Sequence, residues 1–503
     1  MLPALLFSAL SAVIPSDGPV LTRDLTGADP GTYEEWMAAE PPAGPLVVRE
    51  LARIPGIRTG TDFVIVLEQG LADSLPAGLL EQWAADMAPW VGEVLLAEAS
   101  YSTPGELREW LASLLPEGLD GAVLVGDLPA AWVMMDNAFL REGETFPADY
   151  FFMDLDGEWS DEWVGYPSQG NPGSDGKYDT WGPWQGLMPE IYCARMKTSN
   201  LTVGTEAGLI ASYLERNHQW RTWGDPGAHQ ALCYVDDDWA VWGAEFQQAM
   251  QELYPDVELV RDERETNGTD YEENRLTGAY RWISPFVHSG PTLHQWSPGP
   301  ETTWDEVVAI DPQARFYNLF ACSNCRFTTP RNMGSIYVFA TDYGLASVGS
   351  TKSGSMLQFE HFYGPLGDDQ TLGGAYRQWW EYIVNGGFSP GEMSWHLGMV
   401  LIGDPTLRPR AEILGGPGTE PPPSVTGGLE VLGNPCGNVV LFHLPAPGVL
   451  AIYDTAGRLV LERPALPAGE TSLDVGFLPG GFYRAVLRRG DGSVTTAGIV
   501  RLR

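Results

Sequence analysis

FVIVL at residues 63–67 and AVLVGD at residues 122–127 bound the stretch of sequence that decides the fold. Each contains a short, continuous apolar run, which is typical of a strand buried on both faces of a sheet. Between them the sequence predicts a helix at residues 79–88, a strand at residues 94–96 and a helix starting with TPGE at residues 103–106. A capping box and an early proline mark that last helix start. The alternation of strands and helices predicts an α/β fold with a parallel sheet covered on both faces.

A second series of apolar runs follows a loop-rich stretch at residues 141–190. The strands that it predicts are residues 230–235, 257–260, 283–287, 315–320, 345–349 and 400–402. Because both series alternate with helical segments, we expect two parallel-sheet α/β subdomains. The first is expected at residues 61–225 and the second at residues 226–410.

The two ends of the chain differ from this middle part. The start is apolar and then rich in small residues, which predicts a signal peptide at residues 1–15, followed by a lead segment at residues 16–60. A disordered or buried N-terminus is the alternative. A Pro/Gly-rich linker is expected at residues 411–428. Short strands separated by turn sequences then predict a small Ig-like β-sandwich at residues 429–503.

Composition excludes several classes of function. The 503 residues carry a net charge of −37, so DNA and RNA would be repelled, and we expect no nucleic-acid partner. The charge suits a salt-rich exterior or the binding of divalent cations. Apart from the N-terminal run, no stretch approaches the length of a transmembrane helix. The five cysteines are scattered, and the CxxC pair Cys322 and Cys325 has no second pair to complete a typical zinc site.

Two predicted strands end in residues that carry reactive groups. The strand at residues 283–287 leads into His288, Ser289 and Gly290, and the strand ending at Phe320 leads into Cys322. In a parallel sheet, neighbouring strand ends form a ligand-binding crevice. If these strands are neighbours, a histidine lies where it can activate a thiol, and backbone amides near the glycine can hold an oxyanion. The alternative is that both side chains are packed in the core.

Five motifs resemble, in order, those of the gingipain-like cysteine peptidases of family C25. They are VLVGDLP (residues 123–129), ADYFFMDLDG (148–157), PEIYCAR (189–195), FACSNCRF (320–327) and LIGDPTL (401–407). The resemblance implies two caspase/gingipain-like subdomains and a cysteine endopeptidase that hydrolyses protein or peptide substrates. It implies no required cofactor.

The same resemblance assigns roles to the residues at the strand ends. Cys322 stands at the position of the family's nucleophile, and His288 is the expected base. The family has its histidine in a Gly-His-Gly motif, and alignment on Trp296 places Ser289 or Gly290 at that position. His288 then lies one or two residues early and His294 four or five residues late, so His294 is an alternative base. Ser289 and Gly290 are the expected oxyanion donors. The alternative function is a catalytically inactive surface protein that binds peptides or glycans, and a disulfide or metal protein using Cys322 and Cys325 is a third.

An acidic loop and the tail complete the sequence predictions. Asp154 and Asp156 offer hard oxygen ligands for a structural Ca²⁺, which the resemblance also favours, while a solvated acidic loop is the alternative. The tail resembles type IX secretion sorting domains at GNP (residues 433–435), at residues 450–460 and at residues 478–483. That likeness implies a secreted or outer cell-surface protein with the secretion machinery as a partner. An ordinary Ig-like domain is the alternative.

Overall fold

The computed structural model describes nine segments of the chain. They are residues 30–138, 143–223, 230–297, 299–410, 429–432, 438–454, 459–479, 481–489 and 494–501. The predicted signal peptide, the linker and the GNP motif lie outside the described residues, as do parts of the other two tail motifs. The chain divides into two compact units, one comprising residues 1–202 and 209–412 and the other residues 203–208 and 413–503.

The first unit contains eighteen named strands in its described part. In chain order they are β1 Val48–Pro55, β2 Asp62–Glu68, β3 Glu93–Ala99, β4 Leu119–Val125, β5 Trp132–Asp136, β6 Gly143–Pro147, β7 Trp159–Ser160, β8 Thr180–Trp181, β9 Tyr192–Met196, β10 Gln230–Val235, β11 Asp256–Val260, β12 Trp282–Phe286, β13 His288–Gly290, β14 Leu293–Gln295, β15 Thr302–Thr303, β16 Phe316–Asn318, β17 Ala346–Ser350 and β18 Met399–Gly403. The predicted apolar runs correspond to β2, β4, β10, β11, β12, β16, β17 and β18. The central ones, such as β2 and β18, are buried along most of their length and are mainly apolar there, because both faces of the sheet are covered.

Except for α1, which precedes β1, the helices lie between these strands. They are α1 Tyr33–Ala39, α2 Leu71–Ser74, α3 Leu79–Met87, α4 Pro104–Ser113, α5 Glu206–Trp223, α6 Gly243–Met250, α7 Gly268–Asp270, α8 Trp304–Ile310, α9 Met333–Phe339, α10 Glu360–Gly367, α11 Leu372–Asn385 and α12 Pro390–His396. The capping box predicted from the sequence is formed at Thr103 and Glu106 at the start of α4. Among the helices of the described segments, none has both the length and the apolarity needed to cross a membrane.

One large, mostly parallel sheet joins the two halves of the unit. Its eleven strands follow the order β1-β3-β2-β4-β9-β18-β17-β16-β12-β10-β11. Neighbouring strands are parallel except at two places, where β1 pairs with β3 and β17 pairs with β18. Because β18 runs parallel to β9, strand direction reverses between β18 and β17. The carboxyl ends of β4 and β9 therefore lie at one edge of the sheet, and those of β12 and β16 at the other.

The second unit contains antiparallel strands. They are β19 Glu430–Leu432, β20 Val439–Leu444, β21 Gly448–Asp454, β22 Leu459–Leu466, β23 Gly469–Asp474, β24 Gly481–Arg489 and β25 Val494–Arg501. These form one sheet in the order β19-β20-β23 and another in the order β22-β21-β24-β25. A hydrophobic cluster draws on both sheets, with Phe442 from one and Ile452 from the other fully buried. The Ig-like classification of this unit stays a prediction.

Candidate active site

The strands that precede His288 and Cys322 are neighbours that end side by side. The backbone N–H of Val287 donates to the carbonyl of Phe320 at 3.1 Å, and the N–H of Phe320 donates to the carbonyl of Pro285 at 3.1 Å. The sheet pairing of β12 and β16 thus extends to the residues just before the two candidate side chains. The strand order therefore brings the predicted base and the predicted nucleophile to the same edge of the sheet.

His288 is held by an aspartate that the sequence reasoning did not single out. Its Nε2 lies 2.7 Å from Oδ2 of Asp238, which follows the carboxyl end of the adjacent strand β10. The Trp239 ring packs on the imidazole at a centroid distance of 4.5 Å and on the Phe320 ring at 5.6 Å. A carboxylate at this distance stabilises an imidazolium and fixes the orientation of the ring. The feature of the sequence that could have indicated this pair is the run of three aspartates, residues 236–238, directly after β10.

Cys322 lies in a tight turn that is fixed against the end of β17. The residue is 8% exposed and is present as a thiol. The next residue, Ser323, has φ of 57°, a left-handed conformation that is uncommon outside glycine. Its N–H donates to the carbonyl of Lys352 at 2.9 Å, and the N–H of Cys325 donates to the carbonyl of Ser350 at 2.9 Å. These two hydrogen bonds fix the backbone of the turn and therefore the position of the Cys322 residue.

A side chain connects this turn to the loop that carries His288. Nδ2 of Asn324 donates to the carbonyl of Gly290 at 2.7 Å. Gly290 is the last residue of β13, which pairs with β14 in a short antiparallel hairpin. This hydrogen bond fixes the distance between the two loops. The role of Ser289 and Gly290 as oxyanion donors stays a prediction.

His294 occupies a different environment from His288. It is fully buried, with Nδ1 3.0 Å from the Ser289 hydroxyl and Nε2 3.0 Å from the Tyr337 hydroxyl. Burial lowers its pKa to about 3, so the ring stays neutral at physiological pH. Both ring nitrogens already have hydroxyl partners. This arrangement is typical of a structural histidine and favours His288 as the base.

Cys325 is a packed core thiol. It is fully buried, and burial raises its pKa to about 12. A Cβ added at Gly334 or at Gly349 would come within 2.3 Å or 2.7 Å of its sulfur, so the surrounding backbone packs tightly on it. Of the two cysteines in the CxxC motif, Cys322 is therefore the better placed for chemistry. In the described segments, no metal-binding group of three side chains includes either one.

Negative charge is concentrated beside the His288 loop. Asp236 is buried, and its pKa is raised to about 7, mainly by burial and then by the neighbouring carboxylates of Asp237 and Asp238. Its carboxylate accepts a hydrogen bond from the N–H of Ser297. This acidic run lies at the carboxyl end of β10, next to the candidate base.

The acidic loop predicted to bind calcium forms a compact cluster far along the chain from the thiol. Carboxylate oxygens of Asp154, Asp156 and Glu190 lie within 4.8 Å of one another. Asp154 is fully buried and accepts hydrogen bonds from the N–H of Gly157 at 3.0 Å and from Nε1 of Trp159. Burial first, and also the Glu190 charge, raise the pKa of Asp154 to about 7. Glu190 thus lies beside the two carboxylates that the sequence predicts as ligands, and calcium binding itself stays a prediction.

Comparison with known proteins identifies similar solved structures. No protein-family model matches the sequence, and no curated protein does. A structure described as a protease is 14% identical with a TM-score of 0.47, covering 88% of this chain and 98% of that chain. The Arg-specific cysteine proteinase gingipain R is 12% identical with a TM-score of 0.46, covering 89% and 100%. A complex of the pro- and mature domains of RgpB from Porphyromonas gingivalis is 11% identical with a TM-score of 0.49, covering 88% and 100%. These TM-scores are all below 0.5, so the likeness carries no conclusion about function.

Proposed function

We propose that the protein is a cysteine endopeptidase that hydrolyses protein or peptide substrates with Cys322 as nucleophile and His288 as base. The observation that carries the proposal is the hydrogen-bonded pairing of the two strand ends from which these residues emerge. The pair formed by His288 and Asp238 adds the third group, which orients the base. Such an arrangement of thiol, imidazole and carboxylate is suited to acyl transfer.

The proposed reaction proceeds in two steps. His288 accepts the proton of the Cys322 thiol as the sulfur attacks the scissile carbonyl carbon, and then donates that proton to the leaving amine as the C–N bond breaks. Water, deprotonated by the same imidazole, then attacks the thioester and releases the acid product and the thiol. Backbone N–H groups of Ser289 and Gly290 are proposed to stabilise the negative oxygen in both steps. The chemistry requires no cofactor.

We also propose that the enzyme acts outside the cell. The apolar start of the sequence supports export, and the tail motifs support delivery by a type IX secretion machinery to the medium or the outer cell surface. The acidic charge of the chain suits that setting. Detection of the protein in culture medium or on intact cells, and its retention inside cells after removal of residues 429–503, would test this part of the proposal.

Covalent labelling with a thiol-reactive peptidyl probe tests the nucleophile. We expect the wild-type protein to be labelled once and the Cys322→Ala variant not to be labelled, because only this thiol is proposed to be activated. The matched control is Cys325→Ala, which removes a thiol whose pKa is raised by burial. Intact-protein mass spectrometry measures the added mass.

The result also separates the proposed enzyme from its alternative. Labelling that persists in Cys322→Ala would contradict the nucleophile assignment. A folded wild-type protein that takes up no probe, yet binds the peptide portion, would instead identify a catalytically inactive peptide-binding protein.

We propose that Asp154, Asp156 and Glu190 bind a structural Ca²⁺. Their clustered carboxylates are the ligands that calcium prefers, and a cation would offset the cost of burying Asp154. We expect Ca²⁺ added after chelation to raise the free energy of unfolding by about 2.7 kcal/mol at 100 times its dissociation constant. Asp156→Asn should lose much of this gain, and the exposed control Asp73→Asn should keep it. Thermal unfolding with and without CaCl₂ measures both, and an equal gain in the two variants would contradict the assignment.

A further inference from the structure

Arg326 closes the turn that presents Cys322, and it is itself buried. It belongs to the FACSNCRF motif, and its backbone N–H donates to the carbonyl of Ser323 at 3.0 Å. The residue is 3% exposed. A buried guanidinium is unfavourable unless its N–H groups are hydrogen-bonded, so its acceptors have to be held in place. The contacts of this arginine therefore bear on the position of the turn.

The guanidinium connects the turn to three separate segments of the chain. Nη1 donates to the carbonyl of Thr351 at 3.2 Å, in the loop after β17. Nη2 donates to the carbonyl of Thr145 in β6 at 3.2 Å and to that of Gly31, in the predicted lead segment, at 2.8 Å. The planar guanidinium holds its N–H groups in fixed directions. These contacts therefore set the orientation of the Arg326 side chain and, through its backbone, that of the turn.

Residues 30–40, which we call the lead strap, contain α1 and have a second contact just after the turn. The Thr329 hydroxyl donates to the carbonyl of Pro30. Gly31 has φ of 80°, a left-handed conformation that glycine adopts readily, and in this conformation its carbonyl meets Arg326. A Cβ added at Gly31 would have no atom nearer than 3.9 Å. The glycine is therefore needed for its backbone conformation and not for space.

The lead strap is seated by few anchors. Trp36 is the one buried residue of α1. The Lys197 ammonium lies 4.8 Å from the centre of the Trp36 ring and 3.6 Å from the Glu40 carboxylate. A cavity of about 420 Å³ is lined by residues of the strap, so the strap is not closely packed along its whole length. The contact with Arg326 can therefore be lost while the large sheet stays folded.

We propose that Arg326 is a positioning residue for the Cys322 sulfur and that the lead strap is part of the active enzyme. With the Gly31 carbonyl in place, the guanidinium holds the turn so that Cys322 is presented to His288. When that carbonyl moves away, the turn relaxes and the thiol is less well placed. This proposal deepens the peptidase function and rests on it. It gives the strap a supporting role, the opposite of an inhibitory segment that has to be removed before the enzyme acts.

Gly31→Ala tests this link without changing a side chain of the proposed site. Residues with a side chain rarely adopt the left-handed conformation, so the substitution is expected to turn the Gly31 carbonyl away from Arg326. We expect kcat for a peptide substrate to fall about tenfold or more with KM nearly unchanged, because misplacing a reacting group by about 1 Å can cost about 10²-fold in rate.

The matched control for this variant is Gly60→Ala. Gly60 has φ of 70°, and a Cβ added there would meet no atom within 4 Å. It lies in the exposed loop between β1 and β2. The control substitution therefore carries a similar conformational cost without touching the strap or the turn, and it should keep kcat.

The pH dependence of Cys322 alkylation by iodoacetamide gives a readout that does not require peptide hydrolysis. Mass spectrometry of the peptide that contains Cys322 measures the rate at each pH. An imidazolium close to a thiol favours the thiolate, so the midpoint of the rate profile should be about one pH unit higher in Gly31→Ala than in Gly60→Ala. A merely structural role would lower the folded fraction without moving the midpoint.

Substitutions at Arg326 itself give a graded series. Arg326→Lys keeps the positive charge but loses the planar fork that reaches three segments at once, whereas Arg326→Met loses both. The lysine variant should therefore lie between wild type and the methionine variant in kcat and in the alkylation midpoint.

The outcomes separate this proposal from the proposed function. A wild-type protein that hydrolyses no peptide, but whose alkylation midpoint rises in Gly31→Ala, would contradict the peptidase and support the positioning role. Equal kcat, KM and alkylation midpoints in Gly31→Ala and Gly60→Ala would overturn the positioning role, whatever the activity of the wild type. A higher kcat in Gly31→Ala would identify the strap as inhibitory and would also overturn the proposal.

Discussion

Replacing His288 with alanine is expected to lower kcat/KM for a peptide substrate by about 10²–10⁴-fold, the usual contribution of a general acid–base group. The fall should be mainly in kcat, because the imidazole is proposed to act on the thiol proton and the leaving amine rather than to bind substrate. Asp238→Asn should cause a smaller loss. The amide can still hydrogen-bond the ring, but it no longer supplies the negative charge that stabilises an imidazolium.

The chain offers a matched control for this experiment. His218 also lies 2.8 Å from an aspartate, Asp86, but on a partly exposed helix that carries none of the candidate site residues. His218→Ala therefore removes a histidine paired with a carboxylate without touching the proposed chemistry, and it should retain activity. Steady-state kinetics on each variant, normalised to the folded fraction from circular dichroism, gives the comparison. Full activity in His288→Ala would exclude this residue as the base.

Local sequence pattern predicts the positions of the central strands. It does not predict the edge strand β1 or the direction of β18. Val64 to Leu67 of β2 are fully buried, and such strands must be apolar throughout, so their positions could be predicted. The sequence pattern leaves β1 within the predicted lead segment, because this strand lies at the edge of the sheet, where exposed and half-exposed charged residues interrupt the apolar pattern. The reversal of direction at β18 depends on which strand it pairs with, and that information lies in tertiary contacts.

The different environments of the two candidate histidines also depend on strand pairing, which local sequence pattern does not show. Both follow β12, and spacing alone could not distinguish them. In the hairpin, Ser289 lies opposite His294, and their side chains share one face and form a hydrogen bond. His288 is the neighbour of Ser289 along the strand, so its side chain points to the other face. Its partner Asp238 is fifty residues earlier in the chain, and only the adjacency of β10 and β12 brings them together.

Replacing Asp404 with alanine is expected to destabilise the first unit by about 3–5 kcal/mol, the cost of leaving a buried charge without its partner. This aspartate of the LIGDPTL motif is fully buried. Its Oδ2 accepts hydrogen bonds from Nη2 of Arg221 at 2.7 Å, from Nδ2 of Asn217 at 2.8 Å and from Nε1 of Trp83 at 2.8 Å. The substitution would leave the donors of Asn217 and Trp83 unsatisfied in the interior, and Nη2 of Arg221 would keep only the Thr406 hydroxyl as acceptor. It would also uncouple α3 and α5 from the end of β18.

The pH dependence of this effect distinguishes the charge from the loss of packing. Burial alone would raise the pKa of Asp404, but the Arg221 charge and the hydrogen bonds from Thr406 and Trp83 hold it below the ordinary value of 3.8. Ionised Asp404 therefore stabilises the fold fully above that value, and its contribution is lost as the pH falls through the lower pKa of the folded state.

Urea unfolding followed by tryptophan fluorescence measures this effect. The gap in the free energy of unfolding between wild type and Asp404→Asn should be constant near neutral pH and should shrink below the ordinary aspartate pKa. The exposed pair of Asp262 and Arg264 supplies the control, because Asp262→Asn should change stability little. A gap that stays the same down to the most acidic conditions would mean that packing, and not the buried charge, explains the loss.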